Sequence, residues 1–144
     1  MDPEAKENSS SNSSSNSGSS SNGDAGNLQG VIDYVYSKLG CPYVYGNTGP
    51  DTFDCSGLCV AAYKDALGID LPRSTFDMLA VAGYSAYPGE YQLKPGDLLF
   101  QKASHVVMYV GNGKVIHAPQ TGDVVKEVDL NSRNYAYWWR PTSW

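Results

Sequence analysis

Three side chains in this sequence could carry out nucleophilic chemistry together. Cys55 stands in Phe53-Asp54-Cys55-Ser56-Gly57-Leu58, between an acid and a hydroxyl, and the only two histidines, His105 and His117, lie in the C-terminal half. Turn-forming residues, Gly46-Asn47-Thr48-Gly49-Pro50-Asp51, precede the cysteine. Apolar residues at helical spacing follow it (Leu58, Ala61, Ala62, Ala66), so a helix is expected to begin at or next to Cys55. A helix N-terminus presents unpaired N–H groups and a partial positive charge, and both favour the thiolate, the nucleophilic form of cysteine. Taken alone, such a cysteine reads more simply as a small buried hydrophobe, and each histidine as a core residue. Taken together, the three fit a Cys–His–X arrangement. In it His105 takes the thiol proton, and His117 orients His105 through the other ring nitrogen.

The elements that must position these groups are legible. Leu28 to Leu39 reads as a first helix, with Val31, Ile32, Val35 and Leu39 on one face, Asn27 as N-cap and Gly40 as stop. Pro42 fixes an extended piece, Cys41 to Gly46. The Cys55 helix should stop at Gly68. Ser74 followed by Asp77 caps a third helix that Gly83 closes. Lys94-Pro95-Gly96-Asp97 then turns into Leu98-Leu99-Phe100. His105–Val110, Lys114–Ala118, Val124–Val128 and Tyr137–Arg140 read as further short strands. Helices first and strands second is the α+β pattern, with N-terminal helices packed on a C-terminal antiparallel sheet.

Gly111-Asn112-Gly113 is a hairpin signal between the histidines. A three-residue loop makes Val110 and Lys114 the closing pair, sets Tyr109 opposite Val115 and Val107 opposite His117, and puts His105 on the face of His117. A two-residue loop would separate the histidines onto opposite faces. The shared face is expected to be the one packed against the Cys55 helix.

The chain has 144 residues, 17% of them charged, and a net charge of −5. Residues 8–22 contain almost only Ser, Asn and Gly, so 1–26 is expected to be a disordered linker and 27–144 a single catalytic domain. A linker with so little before it implies an upstream domain, and a monomer is expected. Asp2, Glu4, Glu7 and Asp24 against Lys6 place most of the negative charge in the linker. The slightly acidic remainder is a poor match for nucleic acid or an anionic membrane. No apolar run could span a bilayer, and Met1-Asp2-Pro3-Glu4 has the features of no signal peptide. Three cysteines leave at least one thiol free.

The motifs resemble those of the NlpC/P60 family of papain-like cysteine peptidases. They run in that family's order over about residues 28–141: Pro42-Tyr43 with Gly46, Phe53 to Leu58, Leu71-Pro72-Arg73-Ser74, Pro95-Gly96-Asp97-Leu98, Ser104-His105-Val106 with Tyr109-Val110-Gly111, and Val115-Ile116-His117-Ala118. Asn47 departs from the pattern, where the family often has a second glycine. The resemblance implies a papain-like fold and a secreted or wall-associated thiol protease that degrades cell wall. Its substrate would be peptidoglycan stem peptides, cut at the bond from γ-D-glutamate to a diamino acid, with no cofactor. It implies Cys55 as nucleophile, His105 as base, His117 as third residue and Tyr43 near the oxyanion. It also implies Asp54, Ser56, Arg73 and Ser74 as substrate-binding residues, Asp54 toward the stem's free amine. Asp54 could equally cap the helix.

Three other readings compete, one of them a Cys–His enzyme acting on a different amide, since one fold hosts many chemistries. Cys55, Cys59, His105 and His117 are four zinc-type ligands, although the Cys-x₂-Cys knuckle is missing. Eleven tyrosines and three tryptophans could serve a non-catalytic wall-binding module, but aromatic side chains mostly fill cores. Trp138, Trp139 and Trp144 are expected to pack, Cys59 to face the core, and Cys41 to be structural.

Overall fold

A computed structural model describes residues 24–142. Three helices, α1 (Asp24–Ser37), α2 (Cys55–Leu67) and α3 (Thr75–Ala82), precede five strands: β1 (Leu98–Lys102), β2 (His105–Gly111), β3 (Lys114–His117), β4 (Lys126–Asp129) and β5 (Tyr137–Trp139). The strands form one antiparallel sheet in the order β4-β3-β2-β1-β5. This is the α+β architecture expected.

The cap signals worked where they were chemically specific. Asp54 caps α2 by accepting from Gly57 N, and Ser74 caps α3 by accepting from Asp77 N. Gly68 and Gly83 close the two helices in the left-handed conformation. The start of α1 differs from the expectation. The helix begins at Asp24, so Asn27 lies inside it and residues 24–26 of the expected linker are helical. Residue preference is a weak guide among several cap-competent residues in a row. Residues 1–23, the rest of that linker, lie outside the described residues. Leu39 also departs from expectation: α1 ends at Ser37, and Leu39 is 41% exposed.

The sheet divides two apolar clusters. On one face Leu98, Phe100, Val106, Met108, Val110 and Ile116 pack with Leu28, Val31, Ile32 and Val35 of α1 and Leu58, Cys59, Ala62 and Tyr63 of α2. Gly30 allows the close approach of α1 to α2, since a Cβ there would lie 3.2 Å from the Ala66 Cβ. The other face carries Leu99, Val107, Tyr109, Val115 and Leu130 beneath Tyr87, Leu93, Val128, Tyr135 and Trp138. Trp138 and Trp139 thus pack on opposite faces, both partly buried. Trp144 lies outside the described residues.

The hairpin differs from expectation at its tip and agrees beyond it. Gly111 pairs with Lys114 around a two-residue turn, Asn112-Gly113, both with positive φ. A bulge between Tyr109 and Gly111 then shifts the register, so that Tyr109 still faces Val115 and Met108 faces Ile116. The extra residue of the bulge cancels the shorter turn.

Candidate active site

Strand alternation places His105 and His117 on one face, as expected. It is not the face packed on the helices. Val106, Met108 and Ile116 point to the helix side, so the intervening His105, Val107, Val115 and His117 point to the other. The Cys55 helix therefore meets the histidines at the end of β2 and not across the sheet. The sulfur lies against the chain on either side of His105: the thiol points to the Ser104 carbonyl at 4.0 Å, and the Val106 N–H points at the sulfur. The N–H groups of Cys55 and Ser56 also face it.

The two imidazoles are joined by a hydrogen bond of 2.9 Å between His105 Nε2 and His117 Nδ1. His117 is 1% exposed, and its Nε2 has no protein partner among the described residues. Burial, together with the positive charges of Arg133 and Lys102, pushes His105 down to about 4. Burial, Arg133 and His105 push His117 down to about 3. Burial also pushes the Cys55 thiol up, with Asp54 adding to the rise, while the N–H groups of Val106 and Ser56 pull the other way. Burial thus disfavours the charged form of the thiol and of both imidazoles.

Asp54 is the most heavily bonded side chain of the site. It accepts from Gly57 N at 2.6 Å, Gly46 N at 2.9 Å, Arg73 at 2.8 and 3.2 Å and Ser56 Oγ at 3.4 Å. Arg73 also donates to Ser56 Oγ at 2.9 Å. Burial alone would raise the Asp54 pKa, but Arg73, Gly57 and Gly46 together outweigh it and hold it below the usual carboxylate range. These bonds fasten the 46–54 loop to the start of α2 and to the segment before α3. Gly57 is needed for the same junction: a Cβ there would stand 2.1 Å from the Asn47 carbonyl oxygen. That carbonyl accepts from Asp54 N at 2.9 Å, and the Asn47 side chain bonds Thr52. Asn47, the departure from the motif pattern, is thus held within the loop by its backbone and its side chain.

An open cleft of about 470 Å³ borders Cys55, and Tyr43, Asp54, Ser56, Arg73 and Ser74 line it. The residues for which the resemblance implies substrate binding therefore line one cleft. Burial, with the neighbouring Cys55 and Asp54, raises the Tyr43 pKa, so its hydroxyl stays a donor. Sequence reasoning missed Tyr45 and Phe76, which also line the cleft and are 84% and 57% exposed. The signal for Tyr45 was its place in the Pro42-Tyr43-Val44-Tyr45-Gly46 run. For Phe76 it was an aromatic residue in the first turn of a helix next to Arg73-Ser74. The zinc-type set does not assemble: Cys59 is buried in the helix-side core, and among the described residues no three His, Cys, Asp or Glu side chains converge as metal ligands.

Comparison with known proteins gives a consistent result. The NlpC/P60 family pattern matches residues 40–142. The chain is 40% identical over 117 residues to the murein DD-endopeptidase MepH of Escherichia coli K12, spanning 76% of this chain and 41% of MepH. It is 35% identical over 118 residues to the probable endopeptidase Rv2190c of Mycobacterium tuberculosis H37Rv, spanning 81% of this chain and 30% of that protein. The chain thus covers less than half the length of these curated relatives. Among solved structures, the NlpC/p60 domain of the peptidoglycan hydrolase SagA aligns with a TM-score of 0.65 at 31% identity, covering 76% of this chain and 97% of that one. The peptidoglycan hydrolase RipB of M. tuberculosis aligns with a TM-score of 0.69 at 25% identity, covering 83% and 67%.

Proposed function

The chain belongs to the NlpC/P60 family, and from that premise we propose that it is a cysteine endopeptidase of peptidoglycan stem peptides, acting outside the cell or in the wall. The observation that carries the reading is the arrangement around one sulfur. Cys55 opens α2, touches the backbone on both sides of His105, and His105 is bonded to His117 at 2.9 Å.

In this reading His105 Nε2–H donates to His117 Nδ1, which leaves the lone pair of His105 Nδ1 for the thiol proton. The sulfur attacks the carbonyl carbon, and the N–H groups at the start of α2 with the Tyr43 hydroxyl receive the oxyanion. His105 then gives its proton to the leaving amine as the C–N bond breaks. Water, deprotonated by His105, cleaves the thioester and frees Cys55. Asp54, Ser56, Arg73 and Ser74 hold the acyl part of the stem in the cleft.

The bond proposed is that from γ-D-glutamate to the diamino acid. A second reading, a bond between two D-centres, is favoured by the resemblance to MepH, a protein named as a DD-endopeptidase. Defined muropeptides containing both bonds, digested and read by mass, decide between them. Release of L-Ala-γ-D-Glu supports the first. Release of terminal D-alanine-containing fragments with the stem dipeptide still attached supports the second. No cleavage at either bond refutes both.

A further inference from the structure

In the proposed reading His105 protonates the leaving amine and so lies beside the leaving residue, and the side chains next to His105 on its open side are the ones within reach of that residue. Two cations flank it. Lys102 on β1 is paired with His105 across the strands. Arg133 leaves the 3₁₀ turn Leu130–Ser132 on the sheet face of the histidines, and its Nη1 donates to Gln101 Oε1 at 2.9 Å. Gln101 sits in the β1 bulge between Phe100 and Lys102, directly across from the start of β2. Arg133 is also the charge that acts most strongly on both imidazoles.

The remaining charges sharpen the picture. Lys126, paired with His117, is engaged by Asp123 at 2.8 Å. The acid on the cysteine side, Asp54, is engaged by Arg73. Among the described residues neither Lys102 nor Arg133 has a carboxylate partner. The acyl side of the site thus carries a paired acid and base, and on the leaving side, among the described residues, Lys102 and Arg133 are in no ion pair, while the acid near the histidines, Asp123, is taken up by Lys126.

We infer that Arg133 and Lys102 form a specificity site for a carboxylate on the leaving residue, so that the enzyme prefers stems whose diamino acid bears a free carboxylate. The inference rests on the proposed peptidase reading and adds the chemistry of the leaving group. A guanidinium already fixed by Gln101 loses little freedom on binding a carboxylate, and the bond is charge-assisted. The half-exposed setting keeps the effect modest.

The test uses L-Ala-γ-D-Glu joined to diaminopimelate or to lysine, each with the leaving residue's carboxylates free or amidated. kcat/KM should favour the free acid by roughly tenfold in the native protein. The preference should shrink as salt is added, as expected for a partly exposed charge pair. Arg133→Gln and Lys102→Gln should each pull the acid-to-amide ratio toward one. Lys102 is exposed, so its variant keeps the test decisive should Arg133→Gln fold poorly. Equal native rates on acid and amide, or a ratio unchanged in both variants, would overturn the inference while leaving the peptidase reading intact. No cleavage of any of these peptides at the γ-glutamyl bond would overturn the inference together with the γ-glutamyl assignment, and the peptidase reading would then stand or fall on the bond between two D-centres.

Discussion

Asp54→Ala separates a carboxylate that builds the site from one that reads the substrate. In the structure its oxygens hold the α2 N-cap, the Gly46 N–H and the Arg73 guanidinium. Loss of an N-cap costs about 1 kcal/mol. Leaving the part-buried Gly46 N–H without an acceptor costs about 1 kcal/mol more. The Arg73 side chain is 42% exposed, so its lost ion pair adds only about 0.5 kcal/mol. The sum, about 2–3 kcal/mol, should lower Tm by roughly 6–15 °C in a domain of this size. Asp54→Asn keeps an oxygen for the cap and should fall by less than half as much. The pH dependence has a definite sign. The folded pKa is depressed, so the stabilisation is full above the ordinary carboxylate value and is lost as pH falls through the folded one. The Tm gap between native and Asp54→Ala should therefore be the same at pH 7.5 and pH 5. An Asp54→Ala protein that melts with the native one, yet is inactive on a free-amine stem, would show the carboxylate working on substrate and not on the fold.

Three further outcomes are expected. Cys55→Ala should be folded and inactive, and Cys59→Ala should keep most activity with a small loss of Tm; equal inactivity of the two in folded protein would remove Cys55 from its role. His105→Ala should be inactive, whereas His117→Asn or Gln should recover part of what His117→Ala loses, because an amide oxygen can still accept from His105 Nε2–H. Equal inactivity of all three folded His117 variants would contradict an orienting role. Because His105 is held near 4, kcat/KM should persist well below the ordinary imidazole value before the acid limb falls. Stability should decline over the same range, since the unfolded chain binds protons on both histidines from about 6.5 downward while the fold resists until about 4 and 3. An acid limb centred at or above the ordinary imidazole value would contradict this.

What the sequence disclosed was mostly local. A helix beginning at Cys55, caps at Asp54 and Ser74, and glycine stops at Gly68 and Gly83 all follow from the chemistry of a few neighbouring residues. The pairing of Tyr109 with Val115 was also readable, although the route to it was not: a two-residue turn and a bulge stand where a plain three-residue loop was expected. The sheet face of the histidines is not legible locally, because alternation tells which residues share a face and not which face the helices cover. Only the long-range packing of Val106, Met108 and Ile116 against α1 and α2 settles that. The Arg73–Asp54 pair and the Arg133–Gln101 bond join segments distant in sequence, and nothing local announces either.

The most direct measurement of the central claim is the covalent intermediate. Native protein mixed with L-Ala-γ-D-Glu-diamino acid, quenched in acid within the first turnovers and digested for mass spectrometry, should carry an L-Ala-γ-D-Glu acyl group on the peptide containing Cys55. The adduct should be hydroxylamine-labile, as a thioester is, and absent from the peptides containing Cys41. Continued hydrolysis by Cys55→Ala, or an acyl group found on another residue, would contradict nucleophilic catalysis by Cys55.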